Sequence, residues 1–248
     1  MIVQHNMTAL NANRQLGITN TNLARSTEKL SSGYRVNRAA DDAAGLSISE
    51  KMRGQIRGLE QASTNAEDGQ SLIQTAEGAL SEIHSVLQRM RELTVQASND
   101  TNVSADRKAI AKEVRALTSE INRIATQTQF NTMGLLSGGF KNKKLQVGAN
   151  TNQTISITIS SMTAGKLGVS ATVIAKVISS STGKDITKLI TTVNTAITKV
   201  STQRSALGAL QNRLDHTIAN ADNMAENLQS SESKIRDVDM ADEMVSYS

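Results

Sequence analysis

Apolar residues recur along most of this chain at spacings of three, four and seven, the signature of helices with one apolar stripe. Ile2, Ala9, Leu16, Leu23 and Leu30 fall seven apart, with Asn, Thr, Arg and Gln between them. This stripe predicts a first amphipathic helix ending near Ser31-Ser32, with Gly33 as its C-terminal cap. YRVNR then reads as extended, and Asp41 or Asp42 is placed to start the next helix, because carboxylates in a first turn bind free amides. Met52, Leu59, Ala62, Ala66, Gly69, Ile73, Ala76, Leu80, Ile83, Leu87 and Met90 keep a 3-4 spacing, with Gln55 the one polar interruption. A helix from Met52 to Ala97 would be about 69 Å long at 1.5 Å per residue. A bundle needs such a helix; a compact enzyme core does not. Small residues at 62, 66, 69 and 76 would let a partner helix come close.

The polar break SNDTNVSAD precedes a third stripe, Ile110, Val114, Leu117, Ile121 and Ile124. So short a break predicts a helix folded back antiparallel on the second. After QTQFNTMGLLSGG the period changes to two. LQV and TISITI alternate around GANTNQ, which predicts a β-hairpin. Residues 161–183, with the apolar patch VSATVIAKVI, read as a short strand plus an exposed connection. Helical spacing returns near Asp185 with Ile186, Ile190, Val193, Ile197, Val200 and Leu207. It continues in a shifted phase through Leu210, Leu214, Ala221, Met224, Leu228, Ile235 and Val238. The predicted fold is mainly α, an elongated antiparallel coiled-coil or helical-bundle rod with a small β-hairpin insert and its two helical ends side by side.

Composition narrows the function. Net charge is only +4, with both signs mixed along the chain, and aromatics are 2%. Nucleic-acid readers want a basic face and stacking rings, so nucleic acid is not an expected partner. No apolar run approaches the roughly 18 residues of a membrane span, and MIVQHNMTALNANRQLGITN lacks the pattern of a secretory signal. At average usage a chain this long would carry roughly a dozen prolines; it has none, and no cysteine or tryptophan. The absence of Pro suits uninterrupted helices and removes slow prolyl isomerisation from folding. The absence of Cys removes disulfides in any compartment. Two readings fit equally: a chain that must fold promptly after passing somewhere unfolded, or simply a long-helix protein.

The chain offers no constellation for catalysis, and no cofactor is expected. His5, His84 and His216 stand far apart without a second ligand at metal spacing; there is no thiol, no G-x-S-x-G elbow and no glycine-rich phosphate loop. His84 adjoins the apolar stripe as a flanking surface residue. Asp41-Asp42 reads as helix capping plus ion pairing with Arg35 or Arg38 rather than as an acid-base pair. Asp237, Asp239, Asp242 and Glu243 lack calcium-loop spacing and read as a solvated or subunit-facing stripe.

In order along the chain, QHNMTALNANRQL, LSSGYRVNRAADDAAGLSISEKMRGQIRGL, DGQSLIQTAEGAL, LQRMRELTVQASN and TQFN resemble bacterial flagellin, and KIRDVDMADEMV resembles the opposite arm of that family. The resemblance covers roughly 1–160 and 185–248. It implies a structural subunit that polymerises into the extracellular flagellar filament for motility. Such a subunit is secreted by type III export without a cleaved signal peptide. It implies four segments: an N-terminal inner arm and spoke (1–42), rod helices with the hairpin and an exposed central segment (43–183), a C-terminal rod helix (184–230), and the start of a C-terminal inner arm (231–248). Flagellins usually run about one more helix beyond MVSYS, so this is a short form without large outer domains whose C-terminal arm is expected to be cut.

By the same resemblance, the stripe of Ile2, Ala9, Leu16, Leu23 and Leu30 is an inner-arm coiled-coil seam. GYRVNRAADD is the spoke, with Arg35, Arg38, Asp41 and Asp42 as ion-pair partners within or between subunits. Gly54 and Gly58 lie off the stripe, either where a neighbouring chain approaches or incidentally. Implied partners are further copies of the chain, the flagellar cap, junction and export proteins, and an export chaperone whose site falls in the missing tail. Toll-like receptor 5 is a further implied partner, through Arg89 and Leu93 with Gln88, Arg91, Glu92 and Glu113 beside them. Alternatives are a hook–filament junction protein, or a truncated flagellin acting only as an innate-immune ligand.

Overall fold

The computed structural model describes residues 6–170, 174, 175, 178 and 183–248. The described chain is mainly α-helical. Its elements run α1 (Met7–Ser32), α2 (Ala43–Ser98), α3 (Ser104–Gln127), β1 (Gln129–Phe130), β2 (Met133–Gly134), β3 (Lys143–Gln146), β4 (Thr154–Ile157), α4 (Ala164–Leu167), α5 (Gly183–Arg236) and α6 (Met240–Tyr247). The chain divides into two units. One contains both ends, up to Glu60 and from Ala221 onward; the other is the continuous stretch Gln61–Asn220.

In the unit containing the ends, Asn6 caps α1, its side chain accepting the Ala9 N–H at 3.2 Å. Gly33 closes the helix at φ +74°, its N–H returning to the Lys29 carbonyl at 2.8 Å. That left-handed conformation is nearly free for glycine and strained for other residues. Asp42 starts α2 as expected, accepting the Gly45 N–H at 2.8 Å. The helix therefore begins at Ala43, nine residues before its apolar stripe. The last long helix stops earlier than its periodicity predicted. Arg236 ends α5, Asp237 forms an antiparallel bridge with Tyr34, and the Val238 N–H bonds the Gly33 carbonyl at 3.1 Å. Asp239 then caps α6 by accepting from Ala241 and Asp242. The ends do lie side by side: α1 packs against α6, and Lys29 pairs with Glu243 at 3.5 Å.

In the unit Gln61–Asn220, the stripe of α2 is buried from Ala62 to Ala97, with Ile73, Ala76, Leu80, Ile83, Leu87 and Met90 fully enclosed. Helix α3 returns antiparallel, contributing Ile110, Val114 and Ile121 to the same core. The turn is held by Arg107 of α3, which donates to the Ala97 and Asn99 carbonyls and pairs with Asp100 at 3.0 Å. These bonds satisfy carbonyls that the end of α2 leaves open. Helix α5 also runs antiparallel to α2, tied by Gln70 to Asp215 at 2.9 Å and Glu77 to Arg204 at 3.5 Å. The hairpin falls where alternation placed it, with Lys143 opposite Ile157 and Gln146 opposite Thr154.

Two expectations change here. Gly69 does mark a close approach, but of the hairpin rather than a helix, since a Cβ there would run into Leu145 Cδ1. The stretch 161–183 is not an exposed connection: Met162, Ala164, Leu167, Val169, Ile174, Ala175 and Ile178 are buried. Ile174, Ala175 and Ile178 are helical, at the 3-4 spacing that places them on one face. The remainder of the expected strand lies outside the described residues.

Candidate functional site

The GYRVNRAADD stretch is built around Arg236. The Arg236 carbonyl accepts the N–H groups of Arg35 at 2.7 Å and Val36 at 3.4 Å. Its guanidinium lies 4.6 Å from the centre of the Tyr34 ring and pairs with Glu50 at 3.2 Å. Such a cation over an aromatic face is attracted by the ring's negative quadrupole. One turn along, buried Ser49 donates to Glu232 at 2.7 Å. The connection after α1 is therefore fastened to both the end of α5 and the start of α2.

The four residues singled out here take different parts. Arg35 donates to the Ile235 carbonyl at 2.6 Å. Arg38 grips Glu28 with two bonds at 2.9 and 3.0 Å. Asp41 accepts the backbone N–H groups of Arg38 at 2.9 Å and Asn37 at 3.2 Å. The Arg38 amide bond, ahead of smaller contributions from Asn37, Arg38 and Arg25, holds the Asp41 carboxyl below its ordinary value. Asp42 is a cap. Among the described residues neither aspartate is bonded to the Arg35 or Arg38 guanidinium.

Helix α1 presents the stripe differently. Ile2 lies outside the described residues. Ala9, Leu16 and Leu23 are exposed, Leu30 is half-buried, and α1 has no buried residue at all. Leu16 is 62% exposed and Leu23 42%, so this apolar row has no cover among the described residues; Met7 and Leu10, 72% and 60% exposed, lie off the row on another face of the helix. Gly54 also faces open space.

A second charged cluster sits where α2 meets α3. Arg89 donates to Glu113 through Nε at 3.1 Å and Nη2 at 3.0 Å, and to Glu92 at 3.0 Å. The Glu92 bond, then Glu113, raises the Arg89 pKa further above its ordinary value. Arg89, Arg91, Glu92 and Glu113 are exposed and Gln88 is half-buried. Leu93 is 2% exposed. It belongs to the core beneath the cluster, so the apolar member of the expected contact surface faces inward. His84 flanks the stripe half-buried, with Nδ1 enclosed and Nε2 3.4 Å from Gln88.

Periodicity gave no hint of Arg107, Arg236 or Ser49. Each acts by reaching a carbonyl, ring or carboxylate distant in sequence, and only Gly33 and Asp42 carried a local signal.

Among the described residues no group of three or more His, Cys, Asp or Glu side chains could hold a metal, and no helix is long and apolar enough to cross a membrane. Long helices whose ends pair, with exposed apolar side chains and charged surfaces, are the features of a structural class of protein. The bacterial flagellin N-terminal helical region matches residues 3–141 and the flagellin C-terminal helical region residues 190–248. The chain is 52% identical to a flagellin of Halalkalibacterium halodurans over all of its own length and 89% of that protein. It is 47% identical to the Bacillus subtilis flagellin, covering 90% of it. A crystal structure of Bacillus cereus flagellin aligns with 66% of this chain and 94% of its own at 30% identity and TM-score 0.53. A putative flagellar hook-associated protein from Vibrio parahaemolyticus, 13% identical with TM-score 0.67, shares the fold alone. The chain belongs to the flagellin family, a family of structural proteins and not of enzymes.

Proposed function

We propose that this chain is the repeating subunit of an extracellular flagellar filament, polymerising for motility. The observation that carries the reading is the exposure of Leu16 and Leu23, 62% and 42%, seven residues apart on one face of α1. Exposed apolar side chains on one helix face are stabilised by burial against a partner, and in a member of this family the partner is another copy. The inner arm and spoke then occupy 1–42, and the helices and hairpin of 43–230 form the outer layer. Type III export without a cleaved signal peptide, and handling by cap, junction and export proteins and a chaperone, belong to the same reading.

Seeded elongation tests it. Leu16→Glu with Leu23→Glu keeps the helical circular dichroism, since neither side chain is buried, but abolishes growth on preformed seeds. Growth equal to that of the parent would overturn the reading. A hook–filament junction role is separated by the same assay, because a junction protein adds to an end without propagating.

A second reading, recognition by Toll-like receptor 5, is favoured by the Arg89–Glu92–Glu113 cluster, a preformed and exposed charge pattern. Arg89→Ala is expected to lower receptor binding while leaving the fold intact; unchanged binding would remove this reading.

A further inference from the structure

The extended chain continues past β4, and its backbone alternates. Val147 N–H bonds the Gln153 carbonyl at 3.0 Å and Ile159 N–H bonds the Phe140 carbonyl at 2.9 Å. Odd-numbered residues from 153 to 159 thus turn their main-chain groups toward β3, and even-numbered ones turn theirs to the outer edge. At that edge the Thr158 carbonyl accepts from Gln203 Nε2 at 3.3 Å, and the Ser160 N–H donates to Gln203 Oε1 at 3.3 Å. One side-chain amide serving residues two apart supplies the N–H and C=O that a neighbouring strand would supply. Gln203 of α5 therefore occupies, within the chain, the place of an added strand.

The two hairpin edges differ. Along β3, Asn65 donates to the Gln146 carbonyl at 3.1 Å, and Lys141, Lys143 and Lys144 guard the edge in the way charged residues deter pairing. From Thr154 to Met162 there is no charged residue, and the main-chain groups of Thr154 and Ser156 have no partner among the described residues. Beyond Gln203, an open groove runs between Ser160–Met162 and α5. Its floor includes the buried Met162 and Leu167, and Lys166 and Lys199 stand at it. The Lys199 ammonium donates to the Lys166 carbonyl at 3.3 Å, and neither lysine is paired with a carboxylate among the described residues.

We propose that the outer edge of β4 and this groove form a docking site for an extended acidic segment of a partner protein, added as a strand, with Gln203 as its displaceable placeholder. Main-chain bonds from Thr154 to Ser160 supply affinity, and Lys166 and Lys199 select negative charge. This goes beyond the filament reading and does not depend on it, because all of the site lies within Gln61–Asn220.

The test uses the full chain and a fluorescein-labelled peptide of alternating valine and threonine with a glutamate at each end, compared with a lysine-ended control. The acidic peptide is expected to raise anisotropy and slow amide exchange at Ser156, Thr158 and Ser160. The control binds at least tenfold more weakly, and Lys166→Glu with Lys199→Glu reverses the preference. Gln203→Ala tightens binding roughly thirtyfold, since two competing hydrogen bonds of about 1 kcal/mol each are removed. Ser160→Pro deletes an outward N–H and abolishes binding; slow exchange at Ile159 in that variant verifies that the hairpin is intact. No protection in either the parent or Gln203→Ala, equal binding by Ser160→Pro, or protection along β3 instead would each overturn the proposal. Self-association through β4 without peptide preference would overturn it in favour of a second copy as occupant.

Discussion

Ser49→Ala removes a single atom from the contact that joins α2 to α5 in the unit containing the chain ends. The hydroxyl is 1% exposed at the residue level and sits 2.7 Å from Glu232 Oε1. A hydrogen bond to a charged group contributes about 1.5–3 kcal/mol. Glu232 is half-buried, so water partly replaces the lost donor and the lower end applies. Alanine recovers about 0.5 kcal/mol of helix propensity over serine, leaving a net loss of roughly 1–2 kcal/mol. The reverse truncation, Glu232→Ala, should cost less, because the Ser49 hydroxyl can turn to the carbonyl one turn back. Buried Thr94 and Thr118 already bond in that way, to Met90 at 2.7 Å and Val114 at 2.8 Å. Urea unfolding of both single variants and the double variant gives the coupling, expected near 1 kcal/mol. A coupling below about 0.3 kcal/mol, within the additivity of independent sites, would show that the contact contributes nothing and refute the reasoning.

Four further outcomes follow from the same geometry. Asp42→Ala removes the cap of α2 and should cost about 1 kcal/mol in urea unfolding, with amide exchange accelerated over Ala43–Leu46. The Asp41 carboxyl is held below its ordinary value, so its contribution is full above about pH 4 and is lost as pH falls through the lowered value; two-dimensional NMR should show the Asn37 and Arg38 amides shifting below that pH, and Asp41→Asn should erase the shift. Gly78 is exposed on α2 with open space around it, so Gly78→Ala should stabilise the monomer by about 1 kcal/mol; a gain in stability accompanied by impaired filament growth would locate a close approach between copies. Leu93→Ala should cost about 2–5 kcal/mol as a core truncation, so any loss of receptor binding in that variant must track its melting curve, whereas the effect of Arg89→Ala must not.

The helices were legible because each has one buried face and a regular polar remainder, and the hairpin because its isoleucines alternate with threonine and serine. Ends marked by special residues were legible too: Gly33 and Asp42 stop and start helices by local backbone chemistry. The end of α5 was not, since Ile235 and Val238 keep the helical period while the Tyr34–Asp237 bridge breaks it, and that bridge joins residues remote in sequence. Residues 161–183 hide their burial because Ser, Thr and Gly dominate their composition, whereas Leu167, Ile174 and Ile178 decide where they pack. Leu93 shows a limit at the candidate receptor surface. Arg89 and Leu93, four residues apart, project only about 40° apart around the helix, so Arg89 sits at the rim, where its long side chain reaches Glu113, while Leu93 fills the core.

The Tyr34–Asp237 bridge and its neighbouring Arg35–Ile235 bond span 200 residues, and this bears on the order in which the molecule takes shape. A chain delivered one end first has Gln61–Asn220 in hand before its last residues arrive, so that unit can close early. The unit holding the two ends cannot; whichever of its two segments is delivered first must wait until the other emerges. Early closure of Gln61–Asn220, with Gln70 held on Asp215, draws the flanks of that long loop together, so most of its entropic cost falls before the last contacts form. The final contacts to form are therefore the ones that seat α1 beside α6, so that unit is completed only when delivery is finished.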